Sequence, residues 1–267
     1  MRAMESDLGS LGRGFHVQSR VIGALILREL HTRFGRENIG YIWLIAEPML
    51  LASVIGLMHM GQHTEFASDI TPLGLTIVGY TIFIMFRGIV NRAEGAMEAN
   101  AALLYHRMVT PDDVVLARAL LEAGGTFATC IIMLSALVAI GQAPVPTRPL
   151  LLALAIFFQF WSAWGQSMIV TAVSNDNRTI GRLVHVYTYF MIPLSGAFIQ
   201  IEWIPEPYRS YLLWLPMPHI FELARYGVFE SATDKYFDIT YLAGVCMVTM
   251  LVGMFSLRIL RRTMHVS

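Results

Sequence analysis

The chain has 267 residues, 55% of them hydrophobic and 14% charged, with a formal net charge of zero and a mean hydropathy of +0.56. A soluble globule cannot close so much apolar surface inside itself, so that class is excluded, and nothing in the charge balance points to a nucleic-acid partner. Apolar runs of the length a helix needs to cross hydrocarbon, about 20 residues, stand near 41–60, 72–90, 114–140, 150–173, 183–201 and 239–257. They do not alternate with period two, which favours six membrane helices over a barrel.

Residues 1–14 (MRAMESDLGSLGRG) are small, polar and glycine-bearing and read as a disordered N-terminus. No signal-peptide core stands in residues 1–16. From Phe15, apolar residues recur at helical intervals through Phe34, with Arg20, Arg28 and Arg33 at other angles. Residues 15–40 therefore read as an amphipathic helix at the membrane interface, with its arginines at the lipid phosphates, or packed on another subunit. The spanning domain follows over 41–267. In its first span the aliphatic residues, at about −0.3 to −0.6 kcal/mol each, offset the cost of inserting Glu47. Such a carboxylate is expected to face the bundle, as a functional group or as a structural hydrogen-bonding one. Pro48 beside it is expected to kink the helix.

The second span ends in MFRGIVNRAEGAMEANAALLYHRMVTPDD, where Glu94, Glu98, Asn100, His106 and Arg107 fall in a stretch too polar to cross. A short cytoplasmic helix that docks another protein would look like this, as would an ordinary loop helix. Thr110 as cap, Pro111 at the first position, and Asp112 and Asp113 in the first turn then start the next helix. The fourth span holds Gln159, Trp161, Ser162, Trp164, Gln166 and Ser167, a face that either lines an aqueous path or glues helices together. SNDNRTIGR reads as a compact loop. In the fifth span His185, Tyr189, Gly196 and Gln200 are predicted to share one face, with a kink at Pro193. Residues 202–238, broken at Pro205, Pro207, Pro216 and Pro218, read as short, partly re-entrant helices at the outer face. Cys130 and Cys246 each fall in a span, where a thiol behaves as a small apolar group and no disulfide is expected.

Basic residues set the orientation. Arg2 to Arg36 precede the first span, Arg87, Arg92, Arg107 and Arg118 flank the second connection, Arg178 and Arg182 the fourth, and Arg258, Arg261 and Arg262 follow the last span. Only Arg148, Arg209, Arg225 and Lys235 fall opposite, so both termini are expected in the cytoplasm. The one lysine has no glycine-rich loop before it, which excludes an ATP-binding P-loop in this chain. His185 and Ser195 are ten positions apart on one predicted helix, about 15 Å along its axis, and cannot form a dyad. No cluster has metal-ligand spacing, and no cofactor is expected.

Taken together, RELHTRFGRENIGYIWLIAEP at 28–48, LLYHRMVTPDDVVLARALLE at 103–122, the WLPMPH region and the short basic tail resemble the permease subunit of ABC exporters of capsular polysaccharide in Gram-negative bacteria. Arg28, Thr32, Arg33, Phe34, Gly35, Gly40, Tyr41, Trp43, Glu47 and Pro48 carry the strongest part of that resemblance. It implies an all-α inner-membrane protein, a homodimer paired with two copies of a separate ATPase, and a lipid-linked polysaccharide as cargo. Periplasmic co-polymerase and outer-membrane export proteins are implied as further partners. It also implies a coupling helix at about 94–109, carrying Glu94, Glu98, Tyr105, His106 and Arg107, and an exit guarded by the broken helices at about 202–238. In this reading Arg33, Arg36, Arg87 and Arg92 engage anionic groups of the cargo, or only anchor the chain by the positive-inside rule. Glu47, His185, Trp161, Trp164 and Tyr189 line the path, or the aromatics simply pack. Exporters of O-antigen or teichoic acid share this layout. The rivals are an intramembrane enzyme with Glu47 or His185 as acid or base, and a non-transporting scaffold for glycan assembly.

Overall fold

Helix starts in this chain are written by threonine and proline. In the computed structural model, which describes residues 2–34, 42–59, 69–105 and 109–264, the described residues are helices and short connections without a strand. Four helices are long and apolar enough to cross a membrane: α3 (Pro72–Asn91), α6 (Pro111–Ala139), α7 (Pro149–Asp176) and α11 (Ile239–Met264). Three of them open with proline at the first position, where its missing N–H costs nothing. Thr71 caps α3 by accepting from the Gly74 N–H at 2.9 Å. Thr110 and Asp113 form a reciprocal capping box on α6, at 3.2 and 3.0 Å. The helix start foreseen from Thr110-Pro111-Asp112-Asp113 is there.

Two further helices, one apolar and one amphipathic, are shorter among the described residues. α2 (Trp43–His59) has 17 residues with Pro48 inside it, and α8 (Arg178–Ser195) has 18 with Pro193 inside it. At 1.5 Å per residue the described parts reach about 25 and 27 Å, against the roughly 30 Å hydrocarbon core. α1 (Arg2–Phe34) lies against α6, while α4 (Ala96–Ala99) and α5 (Ala101–Tyr105) sit beyond the end of α3. At the opposite end of the bundle, a 3₁₀ turn at Ile201–Trp203 leads to α9 (Tyr208–Leu212) and α10 (Pro216–Val228).

α7 is the central helix and packs on α3, α10 and α11. Its contact with α11 is backbone to backbone: a Cβ on Gly253 would stand 2.7 Å from the Gly165 carbonyl, and one on Gly165 3.0 Å from the Met250 nitrogen. Small residues allow such an approach where apolar burial alone cannot drive helices together. Gln159, Ser162 and Ser167 of α7 are buried inside the bundle; the two serines bond within α7, to Gln166 and to the Trp164 carbonyl.

α10 is too short to cross a bilayer and nearly all of it is buried, with Glu222 and Arg225 facing inward. Arg225 donates to Glu222 at 2.6 Å and to the carbonyls of Gly196 and Ala197, while Glu222 accepts from the Ile201 N–H at 3.0 Å. This buried ion pair therefore closes the backbone groups left open where α8 ends. On the other side of the same turn, the Ala197 carbonyl occupies the space a Cβ on Gly79 would need. Outside the helices, Asp69 accepts from the backbone N–H groups of Glu230 and Ser231 at 2.7 and 3.1 Å and from the Ser231 hydroxyl.

Three boundaries differ from the sequence expectations. The backbone is already helical at Arg2, ahead of Phe15. The expected loop SNDNRTIGR is reduced to Asn177, whose side chain accepts from the Thr179 N–H at 2.9 Å and starts α8 at once. α8 then stops at Ser195, because Gly196 takes φ +75°, a left-handed value that ends a helix. Gly196 and Gln200 thus lie beyond α8 and do not extend the face that carries His185 and Tyr189. The foreseen helix at 94–109 is split into α4 and α5 at Asn100; His106 and Arg107 lie outside the described residues.

Arg225→Met is expected to lower stability by about 3–5 kcal/mol, because it leaves a buried carboxylate unpaired. Adding Glu222→Gln should recover most of that loss in thermal unfolding in detergent; an equally unstable double variant would show that the pair only packs. For Asp69, burial pulls the pKa up, but the hydrogen bonds from Ser231 and Glu230 outweigh it and lower the value below 3.8. A lowered carboxylate stabilises above its unfolded value and loses that stabilisation as pH falls through the folded one. Amide exchange at Glu230 and Ser231 should stay slow at pH 4 and speed up only below 3.8.

Candidate functional site

The polar face of α1 turns toward protein. Glu29 and Arg33, one turn apart, ion-pair at 2.6 Å and meet α6 through Arg118 and Glu122. Arg92, just past the end of α3, also pairs with Glu122. The order Arg92, Glu122, Arg33, Glu29, Arg118 alternates in charge, and it closes on itself because the Arg118 guanidinium donates to the Arg92 carbonyl at 3.0 Å. Three guanidiniums thus share two carboxylates in a ring that joins α1, α3 and α6. Arg28 adds a hydrogen bond to the buried Asn100 amide oxygen at 2.8 Å, while the Asn100 N–H group donates back to the Ala96 carbonyl. Nearer the start of the helix, Gln18 donates to Asp113 at 3.2 Å. The expectation that Arg33 reaches lipid phosphates is corrected: the carboxylates of Glu29 and Glu122 hold its guanidinium. Of the three arginines of that face, Arg33 is half-buried, whereas Arg20 and Arg28 remain exposed.

Beside this ring opens a cleft of about 370 Å³, lined by Leu44, Glu47, Pro48 and Leu51 of α2, Ile84, Arg87, Gly88 and Asn91 of α3, Arg92, Glu122 and Thr126, and His185 of α8. It brings together Glu47, Arg87, Arg92 and His185, which the sequence singled out separately. Tyr189 joins them through Arg87, whose guanidinium lies 4.1 Å from the centre of its ring, a cation–π contact. Arg33 reaches the cleft only through Glu122. Arg36 lies outside the described residues. Trp161 and Trp164 do not line the cleft: Trp161 stacks on Phe158 and Trp164 on Phe160, at ring distances of 6.3 and 5.9 Å.

α8 borders the cleft and is held to its neighbours by polar contacts. Thr188 donates to Asn91 at 2.9 Å, Tyr187 donates to Gln166 of α7 at 2.6 Å, and His185 lies 3.3 Å from Glu94. Glu94 and Glu98 line a second, smaller groove of about 170 Å³ with Thr171, Ser174 and Arg182. Tyr105, at the end of α5, is largely exposed. Of the ring, Glu29, Arg118 and Glu122 were not foreseen. Glu122 had the same signal as Glu47, a carboxylate within an apolar run. The i to i+4 spacings of Glu29 with Arg33 and of Arg118 with Glu122 also place each pair on one helix face.

Chemically the cleft offers guanidinium groups and an imidazole beside carboxylates, with an aromatic face at its edge. That set recognises anions and polar rings. Glu122→Gln and Arg33→Gln are expected to be coupled by about 1–3 kcal/mol in a double-mutant cycle read from unfolding in detergent. Strictly additive losses would mean that the two side chains do not meet.

Residues 20–229 match the ABC-2 type transporter family. The chain is 35% identical over 238 residues to the capsule polysaccharide export inner-membrane protein CtrC of Neisseria meningitidis serogroup B, covering 89% of this chain and 90% of that protein. It is 33% identical over 248 residues to the capsule polysaccharide export inner-membrane protein BexB of Haemophilus influenzae, covering 93% and 94%. The polysialic acid transport protein KpsM of Escherichia coli is 32% identical over 242 residues, covering 90% and 93%.

Proposed function

The chain belongs to the ABC-2 type transporter family, and from that premise we propose that it is the membrane subunit of an ATP-driven exporter of lipid-linked capsular polysaccharide. Its relatives named for capsule export or polysialic acid transport support that cargo. The observation that carries the reading is the cleft: Glu47, Arg87, Arg92 and His185 converge between apolar helices, where an ionisable group facing lipid costs about 2.5–3.5 kcal/mol. A polar cargo accounts for their presence. Arg87 and Arg92 engage phosphate or carboxylate groups, and the Tyr189 ring gives a flat surface for sugars. Trp161 and Trp164 then hold α7 in place.

Because the cleft is open at the side of the chain, a second copy closing over it supports a homodimer with the path between the two. We read α2 and α8 as crossings along with the four longer helices, giving six, and α9 and α10 as a re-entrant outer segment. The clustering of Arg28, Arg33, Arg92 and Arg118 at one end supports a cytoplasmic location for that end, for the interface helix and for both termini. α4 and α5 are then the segment that seats two copies of a separate ATPase. Periplasmic and outer-membrane export proteins would receive the cargo.

Depleting the chain should leave finished, lipid-linked polymer inside the cell and a bare surface, seen by fractionation and electron microscopy. Arg87→Gln should insert normally yet lower surface polysaccharide about tenfold, equivalent to ~1.4 kcal/mol of lost cargo interaction. A normal surface coat on depletion would sink the export reading, and a normal coat in the Arg87 variant would remove that residue from the path.

A further inference from the structure

Glu94 stands in the turn between α3 and α4, yet its carboxylate lies along α8. Oε2 is 3.3 Å from His185 Nε2, and Oε1 occupies space next to Gly181, where a Cβ would stand 2.6 Å away. Gly181 and His185 are one turn apart on the same face of α8. Glu94 also lines the small groove beside α4, whereas His185 lines the charged cleft, so their contact is where the two cavities meet. The turn that carries Glu94 is otherwise held from α6 and α7: Arg118 donates to the Arg92 carbonyl and Thr171 to the Ala93 carbonyl at 3.2 Å. Directly after Glu94, Gly95 takes φ +65° and turns the chain into α4.

We propose that the Glu94–His185 contact is the linkage that passes movement of the α4–α5 segment to α8 and so to the cleft, and that position 181 carries no side chain in order to admit it. The proposal rests on reading α4–α5 as the ATPase-docking segment. Energy released at a partner reaches the cleft only through contacts that have two arrangements. The half-exposed pair fits that need, because a polar contact between partly exposed side chains adds little to stability and breaks at small cost. Asn91–Thr188, between the last residue of α3 and the residue three positions after His185 on α8, gives α8 a fixed point about which such a push acts.

The test uses the full complex of this chain with its ATPase in proteoliposomes, with lipid-linked polysaccharide extracted from the producing cell as the transported probe. ATP hydrolysis and polysaccharide uptake are read on the same vesicles. Gly181→Ala adds one methyl group where Glu94 now lies and favours the helix itself, so folding and hydrolysis should stay as in the parent. Polysaccharide moved per ATP should fall about tenfold, within the usual range of coupling between sites. His185→Ala should lower that ratio likewise, and exchanging the partners, Glu94→His with His185→Glu, should restore about half of it. An unchanged ratio in Gly181→Ala, or no recovery in the exchange, overturns the linkage while leaving the exporter reading intact. A parent complex that hydrolyses ATP without moving polysaccharide overturns the exporter reading and the linkage with it.

Discussion

A charge placed among apolar helices must be paired, and the ring of Arg92, Glu122, Arg33, Glu29 and Arg118 is how this chain meets that constraint. Removing water from an ion carries a penalty of several kcal/mol, which only close and multiple partners offset. Each carboxylate here serves two guanidiniums, and Arg33 is the one guanidinium that serves both carboxylates. This is why α1 is seated on α6. Among the described residues its apolar stripe supplies one buried side chain, Leu25, whereas its polar side supplies Glu29 and Arg33. The same ring fixes the mouth of the cleft, because Arg92 and Glu122 belong to both.

The opposite end of the bundle solves a different problem with the same chemistry. Where α8 stops, backbone carbonyls and N–H groups are left without helical partners in a buried place. Arg225 takes the carbonyls of Gly196 and Ala197, and Glu222 takes the Ile201 N–H. α8 is thereby tied at one end by α10 and at the other by Asn91 and Glu94. Its outer face, with His185 and Tyr189, is left to border the cleft.

How much of this was legible depended on whether the signal was local. Helix starts at Thr71-Pro72 and Thr110-Pro111 are written in adjacent residues, and the apolar runs gave four helices long enough to cross. Glu47, Arg87, Arg92 and His185 were each found by a local rule, a charge or imidazole in or beside an apolar run. That they share one cleft is a tertiary fact no spacing reveals. Glu122 obeyed the rule that flagged Glu47 and was overlooked. Arg33 meets carboxylates rather than lipid phosphates, because a periodicity tells which face is polar but not what that face meets. The end of α8 was set too late, since a run of apolar residues continues through Ile199 while the backbone turns at Gly196. Glu222 and Arg225 stood in a segment broken by prolines, where nothing in sequence marks burial.

α2 and α8 border the cleft from either side, and among the described residues each runs for less than the hydrocarbon thickness. A short helix forces the bilayer to thin beside it or requires other polypeptide to cover the difference. With α2 and α8 as crossings, as proposed, either response brings water and headgroups nearer to Glu47, Arg87 and His185, and so lowers the cost of holding ionisable groups there. Length and charge placement in this chain are therefore two expressions of one arrangement. The long helices α3, α6, α7 and α11 build a rigid apolar block, closed by glycine contacts such as Gly165 with Gly253. The short pair leaves a polar seam along its side.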